Sequence, residues 1–374
     1  MKRLVLLGGG HSQVEVLKQF GRSPLGGVEM ILVSPHRYAA YSGMLPGLIA
    51  GHYTRQQCHI DLAPLAEFAG CKFICQEATR LRPSERLVEI ADGSTLDYDN
   101  LSLDIGSVPP LATITGASDF AIAVKPVETF LHSWEQITMR AMSGHGLGRI
   151  AVVGGGAGGT ELLLAAQYRL DAALASESRP VQLHLLTNTA SILPTHSARV
   201  RRIFERILSE RQIDVSLNAD VVAVQGGGVR CSDGTVIETD YVIWATGAVP
   251  PPLITHSGLL TDGKGFVAVN DYLQSLSHPD VFASGDVASL LAHPRPKSGV
   301  YAVRQGLPLA NNLRRALKGK ALRRFTPQSS SLALISTGNK YAVASRGDLA
   351  VEGAWVWRVK DLIDRRFIAS YNQL

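Results

Sequence analysis

Two glycine-rich segments have the residue spacing that binds a nucleotide diphosphate. Residues 150–166 (IAVVGGGAGGTELLLAA) place Gly154-x-Gly156-x-x-Gly159 between a β-favouring run and a helix-forming run. In such a strand–turn–helix unit the first glycine permits the turn, the second admits the phosphates, and the third lets helix and strand pack closely. The phosphates would lie at the amino end of the helix, where free N–H groups favour an anion.

Half a chain earlier, residues 4–16 (LVLLGGGHSQVEV) carry a second copy of this pattern. Gly8 and Gly10 occupy the first two glycine positions, whereas Gln13 stands at the third. We expect slightly looser helix–strand packing there, and a glycine turn without a ligand is the alternative. Two copies predict that one chain binds two nucleotides.

The residues after the second strand of each unit leave the nucleotide type open. An Asp or Glu at this place accepts hydrogen bonds from a ribose hydroxyl. The first unit instead continues into Ser34-Pro35-His36-Arg37, and the second reaches Thr187. The sequence therefore does not discriminate NADH from NADPH.

Two further stretches have residue types suited to a cofactor site. Residues 281–287 (VFASGDV) predict a short strand that delivers Gly285 and Asp286 to a helix starting at Ala288 or soon after. Asp286 would then hold a ligand or simply cap that helix. Residues 38–52 (YAAYSGMLPGLIAGH) are apolar and rich in Gly and Pro, so Pro46 is expected against a flat ring, unless the stretch is an ordinary core loop.

The elements that position these residues predict an α/β fold with two Rossmann-like dinucleotide-binding domains. Both halves contain a βαβ unit, and both contain a strand that runs into glycine, YDNLSLDIGS and YVIWATG. We predict a discontinuous first nucleotide domain (1–112 and 236–320), a second one (113–235), and a C-terminal strand pair with an amphipathic helix (321–374).

Composition excludes several other classes of protein. Of 374 residues, 45% are hydrophobic, 18% are charged and 36 are glycine, which is typical of a folded α/β protein rather than a disordered one. The net charge is +5, and the basic residues are scattered over most of the chain rather than clustered, so no nucleic-acid partner is expected. Four cysteines without a CxxC pair indicate reduced thiols. Because no run of about 20 apolar residues occurs, a cytoplasmic location is expected.

The C-terminal segment has helical apolar spacing at Trp355, Val359, Leu362, Ile363 and Phe367, with basic residues between them. Such a helix docks on its own protein or on a partner chain, or it lies on an anionic membrane surface. The second use would place the protein at the cytoplasmic face of the membrane, and the oligomeric state stays open.

The order GGGHSQ, YDNLSLDIGS, GGGAGG, VIWATG, VFASGDVA resembles the pyridine nucleotide–disulfide oxidoreductases over about residues 1–315. The resemblance implies a glutathione-reductase-like fold, FAD on the first fingerprint, NAD(P)H on the second, and Asp286 on the ribityl chain. For FAD it implies contacts from Gly8, Gly10, His11, Ser12, Ser34, Arg37, Ala78, Gly106, Gly285 and Asp286. For NAD(P)H it implies Gly154, Gly156, Gly159, Glu161, Thr187 and Gly247, with the nicotinamide over the flavin near Gly247.

Missing cysteines select among the branches of this family. Residues 40–51 contain none, which excludes a disulfide reductase, and the regions used by sulfide:quinone oxidoreductases also lack them. Type II NADH:quinone oxidoreductases need no cysteine, and similarity to them implies a quinone acceptor with Gln305 near the quinone head. We further predict Lys297 at the flavin's pyrimidine edge and Pro46 beside the flavin. The chain is also similar to the flavoprotein half fused to selenide, water dikinase. A sulfide- or selenide-linked oxidoreductase, or a flavin-bound non-catalytic partner, is therefore the alternative.

Overall fold

The structure, a computed structural model, describes residues 1–143, 148–174 and 181–374. The first 120 residues alternate short strands and helices around the first fingerprint. Their elements are β1 (Lys2–Leu7), α1 (His11–Arg22), β2 (Val28–Val33), β3 (Tyr38–Ala40), α2 (Leu45–Ile49), α3 (Arg55–Cys58), β4 (His59–Asp61), α4 (Leu62–Phe68), β5 (Cys71–Ile74), β6 (Ala78–Arg82), β7 (Leu87–Ile90), β8 (Thr95–Asp97), β9 (Asn100–Leu103) and α5 (Ala117–Phe120).

The middle of the chain is organised around the second fingerprint. Its elements are β10 (Ala121–Ala123), α6 (Val127–Met142), β11 (Arg149–Val153), α7 (Ala157–Ala173), β12 (Gln182–Leu186), α8 (Ala198–Glu210), β13 (Asp214–Ser216), β14 (Val221–Gln225), β15 (Gly228–Cys231), β16 (Val236–Glu238) and β17 (Tyr241–Trp244).

The last part of the chain returns to the first half and then adds a small C-terminal layer. Its elements are α9 (Pro252–Thr255), β18 (Val267–Val269), β19 (Val281–Ala283), β20 (Ala288–Leu290), α10 (Gly299–Leu317), β21 (Ala333–Ser336), β22 (Ala342–Arg346), β23 (Leu349–Gly353) and α11 (Ala354–Asn372).

Two parallel sheets confirm the predicted fold class. The first has the strand order β19-β9-β1-β2-β5 and the second β10-β17-β11-β12-β13. In each sheet the fingerprint strand, β1 or β11, has a partner strand on both sides, and its apolar run, Leu4–Leu7 or Ile150–Val153, is buried and paired on both sides. The glycine turns therefore emerge at the carboxyl edge of the sheet, where open α/β sheets bind ligands.

The strand pairing corrects two element predictions. β17 pairs with β10 and β11 and so belongs to the second sheet, while the domain bounds stay a prediction. The helix expected at Ala288 is a strand, because Ala288–Leu290 pairs with Val267–Val269. The C-terminal sheet has three strands rather than two, since β22 pairs with both β21 and β23.

The hydrophobic core of the second half contains residues from outside it. Leu45, Ile49 and Ala50 precede the second fingerprint by about 100 residues, yet they join the cluster around Ile150 and Leu163. Ile335, Val343 and Ala350 of the C-terminal sheet join the same cluster. Close packing also brings Gly338 against α7, where a Cβ would lie 2.1 Å from the Leu164 carbonyl oxygen.

Candidate functional site

The second fingerprint forms an open cradle at the start of α7. Gly154 has φ +133°, a conformation that side chains rarely adopt. A Cβ on Gly159 would lie 1.9 Å from the Gly154 carbonyl oxygen, so the helix can approach the turn only with glycine there. A Cβ on Gly156 would meet no atom within 4 Å, and no side chain caps this helix. The first-turn N–H groups of α7 thus face free space.

Buried polar atoms around this cradle fit a nucleotide ligand. The Thr160 hydroxyl, in the first turn of α7, is buried without a hydrogen-bond partner among the described residues. Thr187 lies against the turn, because a Cβ on Gly155 would meet the Thr187 Cβ at 2.7 Å. Its hydroxyl contacts the Thr189 hydroxyl at 2.8 Å and carries no charge. Donors and acceptors are available here, while a ribose-binding carboxylate is not.

Glu161, predicted to contact NAD(P)H, faces the C-terminal sheet. Its Oε1 accepts a hydrogen bond from the Ser336 backbone N–H at 2.7 Å. Burial raises the pKa of Glu161 to about 7, and the Lys360 ammonium partly opposes that shift. The contact ties α7 to β21, and the role toward the nucleotide stays a prediction.

The first fingerprint keeps its turn and replaces the third glycine by a bonded side chain. Gly8 has φ +92°, and a Cβ there would lie 2.3 Å from the Asp104 carbonyl oxygen. The fully buried Gln13 amide donates to the Leu7 and Ser102 carbonyls and accepts from the Ser102 hydroxyl. The amide group of Gln13 thus joins α1 to β1 and β9, and the looser packing expected there stays a prediction.

A buried carboxylate occupies the start of α1. Asp104 Oδ2 accepts hydrogen bonds from the backbone N–H groups of Ser12 at 2.8 Å and Gln13 at 3.2 Å. Cβ atoms on Gly10 and Gly285 would each lie within 2.3 Å of an Asp104 carboxylate oxygen. The glycines of the fingerprint and of the Gly285-Asp286 turn thus leave room for one and the same side chain.

Asp286 lies in a polar cluster on the single helical turn that follows β19. Its Oδ2 accepts hydrogen bonds from the Lys125 ammonium at 2.6 Å and from the Ser107 hydroxyl at 3.2 Å. Gln305, predicted near the quinone head, accepts the Gly285 N–H on its Oε1 at 2.6 Å. Ser107 and Lys125 thus hold the Asp286 carboxylate, and Gln305 holds the backbone beside it. The bond of Asp286 to a ribityl chain stays a prediction.

Lys297 is held at the same edge of the first domain. Its ammonium donates to the Ala288 carbonyl at 2.5 Å and lies 3.9 Å from the centroid of the Phe266 ring. Burial lowers the pKa of Lys297 to about 8, which Asp286 and Asp262 partly oppose. A half-buried ammonium whose pKa lies close to neutral pH suits the predicted contact with the electron-rich edge of the flavin ring.

The remaining residues predicted to contact FAD lie on several segments of the first half of the chain. The Ser34 hydroxyl donates to the His36 carbonyl at 3.1 Å, and Arg37 forms an ion pair with Asp61 at 2.8 Å. Ala78 begins β6. Gly106 has φ +73° and is open to solvent on its Cβ side. Ser34 and Gly106 follow β2 and β9 of the first sheet, whereas Ala78 lies on the separate β6-β7-β8 sheet, and their contacts with FAD stay a prediction.

An aromatic cluster connects the fingerprint to the segment around Pro46. The Tyr41 ring stacks on Phe367 of α11 at 4.3 Å, and the His11 ring lies 5.4 Å from Tyr41. Burial lowers the pKa of His11 to about 4, so the ring is neutral near pH 7. Pro46 itself is buried at the start of α2, which packs on α7. This segment bridges the two fingerprints.

The polar face of α11 closes one side of that cluster. Lys360 donates to the Gly43 carbonyl and to Asp364, both at 2.6 Å, and the Tyr53 hydroxyl donates to Asp361 at 2.7 Å. The C-terminal helix is therefore docked on its own protein through this face. The opposite face of α11, with Trp355, Val359, Leu362 and Ile363, is exposed to solvent.

The cysteines offer no reactive thiol at the cradles. All four are free; Cys58 is buried and near Tyr41, and burial raises its pKa to about 12. Cys75 is exposed at the end of β5. The described residues contain no group of three or more potential metal ligands, and none of the described helices is both long and apolar enough to cross a bilayer.

Sequence reasoning missed Asp104, Lys125 and Ser107. A signal for Asp104 was available, since SLDIG and IWATG align at their glycines and place Asp104 opposite Ala245. Lys125 and Ser107 had no local signal, because their partner Asp286 lies more than 150 residues away in sequence.

Comparison with protein families decides the relationship. The family model for pyridine nucleotide-disulphide oxidoreductases matches residues 2–306. The chain belongs to this family. Membership implies a flavin-dependent NAD(P)H oxidoreductase, with FAD and NAD(P)H as cofactors, and leaves the electron acceptor open.

Individual relatives of this oxidoreductase are distant. The NADH dehydrogenase-like protein YutJ of Bacillus subtilis is 22% identical over 91% of both chains. The type II NADH:quinone oxidoreductase of Staphylococcus haemolyticus is 23% identical over 87% of this chain and 85% of its own. The sulfide:quinone oxidoreductase of Aquifex aeolicus superposes with a TM-score of 0.83 at 18% identity, covering 100% of this chain and 92% of the other, which shows the fold alone.

Proposed function

We propose that this oxidoreductase transfers electrons from NAD(P)H through FAD to a quinone. When bound, FAD would supply the two-electron redox chemistry that links NAD(P)H to the acceptor. The balanced reaction is NAD(P)H + H⁺ + quinone → NAD(P)⁺ + quinol. The distant likeness to the staphylococcal enzyme, whose name states this activity, supports the proposal.

The single observation that carries the quinone assignment is the outer face of α11. Trp355, Val359, Leu362 and Ile363 are 57%, 41%, 50% and 48% exposed, and they follow one another at helical spacing. Arg358 and Arg366 are exposed on the same helix. An apolar stripe with flanking cations suits the interface of an anionic bilayer, where quinones dissolve.

The inner face of the same helix reaches the cofactor side of the protein. Phe367 stacks on Tyr41, whose ring neighbours His11 in the first fingerprint. One helix therefore joins a membrane-suited stripe to the aromatic cluster beside the first cradle. An apolar acceptor could approach there without crossing the protein's core.

The residues around the cradles would hold and orient the cofactors. We propose that Asp286, held by Lys125, binds the ribityl hydroxyls, and that Lys297 contacts the pyrimidine edge of the flavin. Gln305 fixes the Gly285 turn and stays a proposed neighbour of the quinone head. Positioning of two cofactors in contact supplies most of the rate in such a reaction.

The purified protein is expected to be yellow and to bleach when NADH or NADPH is added without oxygen. Stopped-flow absorbance at the flavin band measures the reduction rate for each nucleotide, and a quinone analogue should then restore the colour. A colourless preparation that takes up no FAD on reconstitution would contradict the proposal.

The choice of electron donor and acceptor separates the alternatives. Faster flavin reduction by sulfide or selenide than by either nicotinamide would indicate the sulfur- or selenium-linked activity. Reduction by NAD(P)H without reoxidation by any quinone would indicate a different acceptor. Flavin binding without reduction would indicate a non-catalytic partner.

A further inference from the structure

The two nucleotide cradles can be compared position by position. β9 and β17 both run into a glycine at φ +73° or +74°, Gly106 and Gly247. Gly10 and Gly156 cap α1 and α7 with the same extended backbone, at φ −68° and −73°. The two halves therefore present the same backbone N–H groups to their ligands.

The two cradles differ in the residue that lies next to the N–H groups at the start of the helix. In front of α7 the space at Gly156 is open, and Ala245 occupies the position that corresponds to Asp104. In front of α1 the Asp104 carboxylate already accepts the Ser12 and Gln13 N–H groups. The first half thus carries its own anion at the helix end that favours an anion.

The surroundings of this carboxylate disfavour a second negative charge. Asp104 is 4% exposed. Burial raises its pKa to about 7, and the Asp286 carboxylate adds to that shift. Among the described residues, the titratable groups around Asp286 include Lys125, which pairs with it, Lys297, whose charge also interacts with it, and His11, which is neutral. A diphosphate on the same turn adds like charge close to Asp104, which disfavours its ionised form further.

We propose that Asp104 couples FAD binding to the uptake of one proton. The proton comes from solvent and resides on the Asp104 carboxyl, which keeps accepting the Ser12 N–H through one oxygen and can donate its O–H to the diphosphate. Ionised Asp104 repels the cofactor, so affinity falls above neutral pH. This inference rests on the proposed binding of FAD at the first fingerprint.

Calorimetric titration of FAD into the full-length, flavin-free protein measures the proton directly. At pH 8, heats in two buffers of different ionisation enthalpy should show uptake approaching one proton per FAD. The Kd should rise by up to about tenfold per pH unit above pH 7 and be level at lower pH. In Asp104→Asn both effects should fall to the share that Lys297, with a pKa of about 8, contributes near and above that pH, whereas Asp171→Asn, a change on the distant α7, should keep them in full.

Each outcome bears on the inference. Absence of proton uptake by the wild-type protein overturns it, and this readout requires no variant to fold. An undiminished pH slope between pH 7 and 8 in Asp104→Asn also overturns it and leaves Asp104 as a plain helix cap. FAD binding at no pH would overturn the proposed function as well, whereas pH-independent binding overturns only this inference.

Discussion

Alanine at Gly156 is expected to remove tight NAD(P)H binding while the protein stays folded. The backbone there, at φ −73° and ψ 177°, is allowed for alanine, and the added methyl meets no protein atom within 4 Å. The methyl instead fills the space through which a diphosphate reaches the helix N–H groups. Losing one or two charge-assisted hydrogen bonds costs about 2–4 kcal/mol, a factor of about 30 or more in affinity.

Anaerobic stopped-flow reduction measures this effect as the nucleotide concentration that gives half the maximal rate. Gly158→Ala is the matched control: it lies two residues further on, inside α7, and its Cβ also meets nothing. It should bind nucleotide normally and gain about 0.5–1 kcal/mol of stability. Wild-type affinity in Gly156→Ala would show that the nucleotide binds elsewhere.

Deleting residues 355–374 is expected to unfold the protein rather than merely release it from a membrane. α11 buries Trp357 and Tyr371, each worth about 3 kcal/mol or more. The Tyr371 hydroxyl also donates to Glu15 of α1 at 2.7 Å. Because total stabilities are about 5–15 kcal/mol, thermal unfolding of the truncated chain should occur far below that of the full one.

Changing only the outer stripe separates membrane contact from folding. Serine at Trp355, Val359, Leu362 and Ile363 removes exposed side chains, so flavin content and the melting temperature should be retained. Co-sedimentation with anionic vesicles should be lost. A control with serine at Met139 and Val236, exposed apolar residues elsewhere, should still sediment; vesicle binding by the stripe variant would contradict the assignment.

Local patterns predicted the parts of the fold that depend on local chemistry. The two strand–turn–helix units predicted from the fingerprints are present as β1–α1 and β11–α7, because an apolar run and a glycine turn define each of them locally. The close approach at Gly159 follows from the fingerprint itself. These features require no knowledge of distant partners.

Long-range pairing decided the features that the sequence did not predict. Ala288–Leu290 is a strand because Val267–Val269, 21 residues earlier, pairs with it, although the local pattern favoured a helix. The hydrogen bonds of the Gln13 amide could not be predicted either, because its partner Ser102 lies 89 residues later in the sequence. The contacts of Asp286 likewise come from Lys125 and Ser107, which no local motif marks.

The shared core of the second half has a consequence for how the chain is made on the ribosome. Leu45 and Ile49 are synthesised before the second fingerprint, whereas Ile335 and Val343 are synthesised near the end of the chain. The middle of the protein cannot finish packing until nearly the whole chain has emerged. We therefore expect the nascent polypeptide to acquire protease resistance late, in one step, and not domain by domain.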